Sequence, residues 1–239
     1  MEPVIQVQGL SKSYGALKAL EGLDLAVERG QAFGLLGANG AGKTTAIECM
    51  LGVRRRDAGA VRILGMDPVA DRRALFQRVG VQFQEANYQE KITVGELCRV
   101  TACLYREPAD SAELLEQFGI GDKGNSPVAD LSGGQRQRLF IVLALLPDPQ
   151  AVFLDELTTG LDARARREVW DILAERKRRG LAILLTSHFM DEVEALCDQI
   201  CILKRGRCVF RGTVAQAVAE SPYAGFEDAY LWYTGEETE

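Results

Sequence analysis

Apolar and polar residues alternate in two segments near the start of the chain, residues 4–7 and 23–27. An alternation of period two predicts strands with one buried face. Short continuous apolar runs follow, and runs of this kind are typical of the strands of a largely parallel sheet. They occupy residues 32–36, 79–83, 152–154 and 183–185. Two further runs, 200–203 and 208–210, flank a Lys-Arg-Gly-Arg segment and predict a hairpin.

Apolar residues recur at helical spacing between these strands, in residues 94–104 and 165–173. Two more helices are predicted at residues 45–51 and 135–146. Strands that alternate with helices indicate an α/β fold with a mostly parallel sheet.

The domain organisation follows from the distribution of these elements. The stretch from about residue 85 to residue 146 is rich in helical patterns, and strand-rich segments lie on both sides of it. We therefore predict a helical subdomain inserted into one domain over residues 1–212. Residues 213–239 are predicted to form a short tail whose acidic end is frayed.

Composition narrows the classes of protein that fit. The 239 residues are 47% hydrophobic and carry a net charge of −6, which argues against a duplex nucleic-acid binder. No apolar run approaches the roughly 18 residues that cross a bilayer, and no signal peptide is visible. We expect a cytoplasmic protein. The six cysteines show no Cys-x-x-Cys spacing and are expected to be reduced and mostly buried.

A glycine-rich loop supplies the first candidate chemistry. Residues 37–44 are Gly-Ala-Asn-Gly-Ala-Gly-Lys-Thr, which matches the phosphate-binding Walker A pattern between a predicted strand and a predicted helix. Backbone N–H groups of such a loop converge on phosphate, the lysine bridges the β- and γ-phosphates, and the hydroxyl ligates Mg²⁺. The nucleotide-binding residues predicted here are Gly37, Asn39, Gly40, Ala41, Gly42, Lys43, Thr44 and Thr45, with Lys43 also assigned to catalysis.

Two acidic residues end the predicted strand at residues 152–154. Asp155 is placed to hold Mg²⁺ together with Thr44, and Glu156 is placed to orient and polarise the attacking water. Two acids after an apolar run are by themselves commonly a helix cap. Their pairing with the phosphate loop favours the catalytic interpretation, with ATP and Mg²⁺ as cofactors.

A second candidate anion site follows in residues 131–135, Leu-Ser-Gly-Gly-Gln. A serine hydroxyl and glycine N–H groups at a helix start can bind an anion, so Ser132, Gly133, Gly134 and Gln135 are predicted to contact nucleotide. This run resembles the signature sequence of ATP-binding cassette (ABC) ATPases. The resemblance implies a P-loop NTPase fold with a RecA-like, mostly parallel sheet, an N-terminal antiparallel β subdomain and an inserted helical subdomain.

The resemblance extends over nearly the whole chain and assigns four further residues. Tyr14 corresponds to the aromatic residue that stacks on adenine. Gln84 corresponds to the glutamine that reaches Mg²⁺ and the lytic water, and Gln82 fits that register less well. Asp162 lies in a run similar to the D-loop, which contacts the partner subunit and the nucleotide. His188, the one histidine of the sequence, corresponds to the switch histidine.

The family resemblance implies hydrolysis of ATP by a head-to-tail dimer with a second ABC ATPase subunit, in a homodimer or a heterodimer. It also implies attachment to transmembrane permease subunits, which would hold the protein on the inner face of the membrane, and no nucleic-acid partner is expected. Residues 186–198 resemble cassettes of the drug-exporter type. The alternative is a non-transport ATPase, such as one that acts in iron–sulfur cluster assembly.

Overall fold

The structure, a computed structural model, describes residues 2–83 and 88–235. Within them, a three-stranded antiparallel sheet has the order β2-β1-β4. Its strands are β1 (Ile5–Tyr14), β2 (Leu17–Val27) and β4 (Ala58–Ile63). Glycine and polar residues interrupt the alternation in β1, where register shifts occur against both neighbours. These shifts explain why the sequence pattern reveals only the first residues of this long strand.

A six-stranded sheet has the order β5-β6-β7-β3-β8-β9. Its strands are β3 (Ala32–Gly37), β5 (Val79–Gln82), β6 (Ala151–Leu154), β7 (Ala182–Leu185), β8 (Gln199–Lys204) and β9 (Arg207–Gly212). All neighbouring pairs are parallel except β8 and β9, which form the predicted antiparallel hairpin. The carboxyl ends of β3, β6 and β7 therefore meet at one edge of the sheet, where α/β folds bind ligands.

The helices surround this sheet. They are α1 (Lys43–Met50), α2 (Arg72–Leu75), α3 (Val94–Ala102), α4 (Ser111–Gln117), α5 (Gly133–Leu145), α6 (Ala163–Arg178), α7 (Met190–Leu196), α8 (Val214–Ala219) and α9 (Phe226–Thr234). Helices α3, α4 and α5 lie between β5 and β6 in the chain, in the stretch predicted to be helix-rich. Among residues 2–83 and 88–235, none of the helices combines the length and apolarity that crossing a membrane requires.

Strands β3, β6 and β7 of the six-stranded sheet are buried on both faces, which explains their continuous apolar sequences. Phe153 of β6 packs in a cluster with Phe33 and Ile47, between the sheet and the antiparallel strands. Its neighbours Val152 and Leu154 point the other way, into a cluster formed with α5 and α6. A strand with both faces covered has no polar positions to alternate with its apolar ones.

The structure confirms the predicted α/β fold, with an antiparallel sheet and a largely parallel sheet, and corrects several boundaries. The sequence analysis missed β4. Helix α3 ends at Ala102, before the predicted residue 104, and α1 and α5 each begin two residues earlier than predicted. Residues 213–235 contain α8 and α9, which pack on the hairpin through Phe210, Phe226 and Tyr230.

Candidate functional site

The glycine-rich loop connects the buried strand β3 to helix α1. Gly37 and Gly42 have φ values of 146° and 110°, which glycine adopts without strain. A Cβ atom at Gly42 would lie 2.4 Å from the Ala19 carbonyl oxygen, and one at Gly37 would lie 2.4 Å from the Leu203 carbonyl oxygen. Both glycines are therefore required by the close approach of neighbouring backbone as well as by the turn itself.

Lys43 begins α1 and folds back over the loop. Its Nζ atom donates hydrogen bonds to the carbonyl oxygens of Gly37, at 2.6 Å, and Ala38, at 3.2 Å. The side chain is buried, so its charge is confined to the space enclosed by the loop. An ammonium group held in this position suits a phosphate group.

Asp155, directly after β6, connects the phosphate loop to the end of the neighbouring strand β7. Its Oδ2 atom accepts a hydrogen bond from the Thr44 hydroxyl at 3.2 Å, and its Oδ1 atom accepts one from the Thr186 hydroxyl at 2.6 Å. The carboxylate is buried, and two hydroxyl groups fix its orientation. Carboxylate and hydroxyl oxygens from three different parts of the fold thus meet at the carboxyl ends of β3, β6 and β7.

Glu156 and His188 lie beside this cluster. The His188 Nε2 atom is 3.2 Å from Glu156 Oε1, and the Glu156 backbone N–H donates to the Thr186 hydroxyl at 2.9 Å. Glu156 has a φ of 55°, a conformation that non-glycine residues rarely adopt. Strained backbone of this kind persists where the surroundings fix it, which is common at functional sites. Here Thr186 supplies part of that restraint.

These residues open into a cavity of about 930 Å³. It is lined by Tyr14, Leu17, Lys18, Ala19, Asn39, Gly40, Gly42, Lys43, Thr44, Thr45, Glu156, His188 and Arg205. Tyr14 is 40% exposed, and Lys12 Nζ and Arg54 Cζ lie 5.5 Å and 5.4 Å from its ring centre. The cavity thus joins an aromatic ring to a phosphate-binding loop and to a carboxylate–imidazole pair.

The Leu-Ser-Gly-Gly-Gln run lines a second cavity, of about 490 Å³. Ser132 caps α5: its hydroxyl accepts a hydrogen bond from the Gln135 N–H at 3.2 Å, and the Gln135 side chain accepts one from the Ser132 N–H at 3.0 Å. Gly133, Gly134 and Asp162 also line this cavity. The two cavities share no lining residue within the described residues.

Asp162 caps the helix next to this second cavity. Its carboxylate accepts hydrogen bonds from the backbone N–H groups of Ala165, at 2.8 Å, and Arg164, at 3.0 Å. The N–H of Ala165, followed by that of Arg164, lowers the pKa of the Asp162 carboxyl against the smaller opposing effect of burial. The carboxylate is therefore ionised and held in a fixed orientation at the start of α6.

Comparison with known proteins decides the family. The profile of the ABC transporter family matches residues 20–159. Over 215 residues the chain is 40% identical to Nod factor export ATP-binding protein I of Ralstonia nicotianae, covering 88% of this chain and 67% of that protein. The chain belongs to the ABC transporter family. It is also 40% identical over 227 residues to daunorubicin resistance ATP-binding protein DrrA3 of Streptomyces coeruleorubidus, covering 92% and 71%.

Solved structures agree with this assignment. An ATP-binding subunit of an ABC transporter superposes with a TM-score of 0.88 and 29% identity, over 97% of this chain and 99% of that chain. A dimeric bacterial ABC transporter cassette, at 21% identity and a TM-score of 0.79, shares the fold over 87% of this chain and 98% of that one. As a member of the family, this ABC subunit binds and hydrolyses ATP.

The structure brings some of the predicted residues of this cassette together and separates others. The cavity at the phosphate loop contains Tyr14, residues from the loop, Glu156 and His188, whereas Ser132 and Asp162 lie at the second cavity. Gln84 lies outside the described residues. Gln82 is buried, and its side-chain N–H donates to the Asp155 carbonyl oxygen at 3.1 Å.

Sequence reasoning assigned no role to two residues that organise the site. Thr186 contacts both Asp155 and Glu156, and the side-chain amide of Gln137 on α5 donates to the carbonyl oxygens of Glu156, at 3.2 Å, and Leu157, at 2.6 Å. The position of Thr186 at the end of a predicted strand was a usable signal. No local pattern marks Gln137, since its partner lies about twenty residues away in the chain.

Proposed function

We propose that this ABC subunit works as a dimer that drives export of a substrate through separate membrane-spanning permease subunits. The proposal rests on one observation above all: the phosphate loop, Glu156 and His188 line one cavity, with Asp155 bonded to Thr44 beneath it, whereas the Ser132 segment lines another. The names of the relatives support export, since they include Nod factor export and daunorubicin resistance proteins.

Nucleotide binding is assigned to the cavity at the phosphate loop. The adenine base stacks on Tyr14, the loop N–H groups and Lys43 hold the phosphates, and Thr44 and Asp155 hold Mg²⁺. The donor set fits this ion, because Mg²⁺ is usually bound by one or two protein oxygens together with phosphates and waters. When bound, the ion neutralises charge on the phosphate oxygens.

Hydrolysis is assigned to Glu156 and His188. The Glu156 carboxylate accepts a proton from the attacking water, which is the role of a general base. His188, 3.2 Å from Glu156 Oε1, holds this carboxylate in position and offers a donor toward the γ-phosphate. Residues on the ends of β6 and β7 thus act on the nucleotide held by the loop after β3.

The second cavity is assigned to the partner subunit's nucleotide. Ser132, Gly133 and Gly134 present a helix start to the γ-phosphate bound by the other chain, and Asp162 lies along the same interface. Two head-to-tail copies would then enclose two ATP molecules. The dimer is a homodimer if this chain supplies both halves, and a heterodimer if a second cassette supplies one.

Complementation between two inactive variants tests this arrangement. Lys43→Ala inactivates the site on its own phosphate loop, and Ser132→Arg inactivates the site on its partner's loop. In a heterodimer of the two variants both lesions fall on one site and leave the other intact. Mixing the inactive proteins should restore up to about half of the wild-type rate per heterodimer if the sites act independently.

Two controls make the complementation result decisive. Each variant alone should stay inactive at the same total concentration, and gel filtration should show that mixed dimers form with ATP. Mixed dimers that bind ATP but stay inactive, with no crosslink between the intact loop and Ser132 of the other chain, would contradict the shared site. Rescue that appears without dimer formation would contradict it as well.

The permease contact is assigned to the surface around α3. Val100 and Leu104 are 59% and 68% exposed, and Leu104 lines a surface cleft of about 890 Å³ with Gln77 and Tyr105. Exposed apolar residues beside a cleft suit a protein partner. In cells, Val100→Asp and Leu104→Asp should release the subunit from membranes without weakening its ATP affinity. The matched control is Val209→Asp on β9, and equal release by that variant would contradict the assignment.

A further inference from the structure

Two cysteines of the β8–β9 hairpin lie in contact. All six cysteines fall within the described part of the chain and are free thiols. The Sγ atom of Cys201, on β8, is 3.1 Å from the Sγ atom of Cys208, on β9. Leu203 pairs directly with Cys208, so Cys201 and Cys208 lie on the same face of the sheet. Of the six thiols, those of Cys49, Cys98 and Cys201 are buried, that of Cys197 is partly buried, and those of Cys103 and Cys208 are exposed.

The surroundings of the two thiols favour ionisation of Cys208 over Cys201. The hydrogen bond from the Cys201 thiol lowers the pKa of Cys208 to about 7, burial opposes this shift, and the Arg211 guanidinium adds to it. The pKa of Cys201 is raised by the same hydrogen bond and by burial. The thiolate is the nucleophile of cysteine chemistry, and Cys208 is also the exposed member of the pair, whereas Cys201 is buried. Both observations favour Cys208 as the attacking sulfur.

We propose that Cys208 is a modification site for peroxides and that Cys201 is its resolving thiol. The Cys208 thiolate attacks one oxygen of hydrogen peroxide; an S–O bond forms, the O–O bond breaks, and hydroxide leaves. The Cys201 sulfur then attacks the Cys208 sulfur; the S–S bond forms, the S–O bond breaks, and the oxygen leaves with the thiol proton as water. The two sulfurs lose two electrons, and the peroxide gains them.

This hairpin also contacts the phosphate loop. The Gly206 N–H donates to the Ala41 carbonyl oxygen at 2.9 Å, and the Gly206 carbonyl oxygen accepts from the Glu21 N–H at 2.9 Å. A disulfide requires the sulfurs to approach to about 2.05 Å. The two sulfurs must therefore move about 1 Å closer. We expect the two strands to follow part of this movement, and a misplacement of about 1 Å in an active site can cost about 10²-fold in rate. Oxidation of the pair should slow ATP hydrolysis.

Mass spectrometry tests the chemistry separately from any function of the site. The full chain is treated with hydrogen peroxide, its remaining thiols are alkylated, and it is digested with trypsin, which cleaves between the two cysteines at Lys204, Arg205 and Arg207. The expected product is a linked peptide pair in which fragmentation assigns the bond to Cys201 rather than to Cys197. In Cys201→Ser, dimedone should trap a sulfenic acid at Cys208.

The matched control is Cys103→Ser, which removes another exposed cysteine and should leave the linked pair unchanged. Alkylated Cys208 after oxidation, or a bond from Cys208 to any other cysteine, would overturn the proposal.

The effect on ATP hydrolysis is a second test. The oxidised wild type should hydrolyse ATP about tenfold more slowly than the reduced protein, because a displacement of about 1 Å can cost up to about 10²-fold in rate. Dithiothreitol should restore the rate, and Cys208→Ser should be insensitive. A linked pair with an unchanged rate would overturn the connection to the phosphate loop.

A separate observation concerns Glu192 on α7. Its side chain is 0% exposed, and its Oε1 atom accepts hydrogen bonds from the Thr158 hydroxyl at 2.6 Å and from the Trp170 indole N–H at 2.9 Å. Thr158 follows Glu156 by two residues, and Glu192 follows His188 by four. The Thr158–Glu192 contact therefore connects the segment that carries Glu156 to the segment that carries His188.

We infer that Glu192 is a positioning residue that keeps Glu156 and His188 in contact through Thr158. A buried carboxylate oxygen with two donors is held firmly, because losing either partner leaves a polar group unpaired away from water. The contact joins the two chain segments that follow the neighbouring strands β6 and β7. This inference rests on the proposed roles of Glu156 and His188 in hydrolysis.

Paired conservative variants test the positioning role. Thr158→Val removes the hydroxyl at nearly constant volume and should lower kcat about tenfold or more with an unchanged Kd for ATP, since only the catalytic pair is displaced. Thr158→Ser keeps the hydroxyl and should restore kcat. Glu192→Ala should behave like Thr158→Val, and Glu192→Gln, which keeps an acceptor oxygen, should retain most activity.

Asp191→Asn is the matched control, because it changes the neighbouring, exposed carboxylate and should leave kcat unchanged. A normal kcat in Thr158→Val would overturn the inference while leaving the proposed function intact, provided that Glu156→Gln is inactive. Loss of ATP affinity in step with kcat would overturn it too, because that result indicates general damage to the fold. An active Glu156→Gln would instead remove the proposed role of Glu156.

Discussion

Helices α1 and α5 both begin beside glycine, and each opens on a cavity, but the side chains around the two cavities differ. The cavity at α1 contains Lys43, Glu156 and His188, which arrive from the ends of three neighbouring parallel strands. The cavity at α5 is lined by Ser132, Gln135, Arg138 and Asp162 together with glycines and apolar residues. The first cavity therefore has the groups to bind a nucleotide and cleave its phosphoanhydride bond, and the second has groups suited to binding alone.

The N-caps of α1 and α5 differ as well. Within the described residues, α1 has Gly42 as its N-cap in the left-handed conformation and no side chain that caps it. A helix start of this kind, with glycine as its N-cap, can bind an anion through backbone N–H groups. Helix α5 is closed by the reciprocal bonds of Ser132 and Gln135. The Ser132 hydroxyl oxygen already accepts a hydrogen bond from the Gln135 N–H. The nucleotide of another chain would therefore bind to the O–H group of Ser132, which can still donate, and to the glycine N–H groups.

The largest effect is expected at the carboxylate of the first cavity. Glu156→Gln should keep ATP binding and lose about 10²–10⁴ in turnover, which is the usual contribution of a positioned general base. Steady-state hydrolysis and equilibrium ATP binding measure the two quantities. Glu175→Gln, on the exposed face of α6, is the control and should match the wild type. Turnover of Glu156→Gln within about threefold of wild type would remove the distinction between a catalytic cavity and a binding cavity.

The next effect concerns affinity. Lys43→Ala should weaken ATP binding by about 2–5 kcal/mol, because a buried phosphate loses its charged partner. Ser132→Ala should leave the affinity of the monomer unchanged, since its cavity shares no lining residue with the first. A fluorescent ATP analogue at protein concentrations below dimerisation gives both values. Equal losses in the two variants would show that a single chain uses both cavities for one nucleotide.

The residues that line the first cavity could be selected from the sequence because they lie in short, contiguous segments. The phosphate loop, Asp155–Glu156 and the strand before His188 each carry their signal within about ten residues. Their contacts were not predictable: Thr186 and Gln137 reach Asp155 and Glu156 across roughly twenty to thirty residues of chain, and only the packing of strands and helices decides such partners.

The missed fold elements have a similar cause. Strand β4 is Ala-Gly-Ala-Val-Arg-Ile, with two buried residues in six, and it forms by pairing with β1 rather than by local preference. Helices α8 and α9 are short, and α9 is held by packing of Phe226 and Tyr230 against the hairpin. Short elements of this kind depend on tertiary contacts that a sequence pattern does not reveal.

A smaller effect is expected at the mouth of the first cavity. Tyr14→Ala should cost about 1–3 kcal/mol of ATP affinity through lost stacking, by analogy with base–aromatic contacts. Tyr14→Phe keeps the ring and should bind ATP normally, which separates stacking from any role of the hydroxyl. The affinities of the variants for ATP and for inorganic triphosphate, which lacks the base, show whether the ring contacts the base or the phosphates. A loss of triphosphate affinity as large as the loss of ATP affinity would place Tyr14 at the phosphates instead of the base.

The smallest expected effect is on the free energy of unfolding, and it separates two roles of Ser132, as a helix cap and as a contact to the partner's ATP. Ser132→Asp keeps a good N-cap, so the free energy of unfolding should stay within about 0.5 kcal/mol of wild type, whereas Ser132→Ala should lose about 1 kcal/mol. The added carboxylate would nevertheless face the phosphates of the partner's ATP and repel them. Ser132→Asp should therefore be as stable as wild type, bind ATP normally as a monomer, and fail to dimerise or hydrolyse ATP. Denaturant unfolding, binding of a fluorescent ATP analogue, gel filtration with ATP and turnover measure these four properties. A stable Ser132→Asp protein with normal hydrolysis would mean that Ser132 is a helix cap and nothing more.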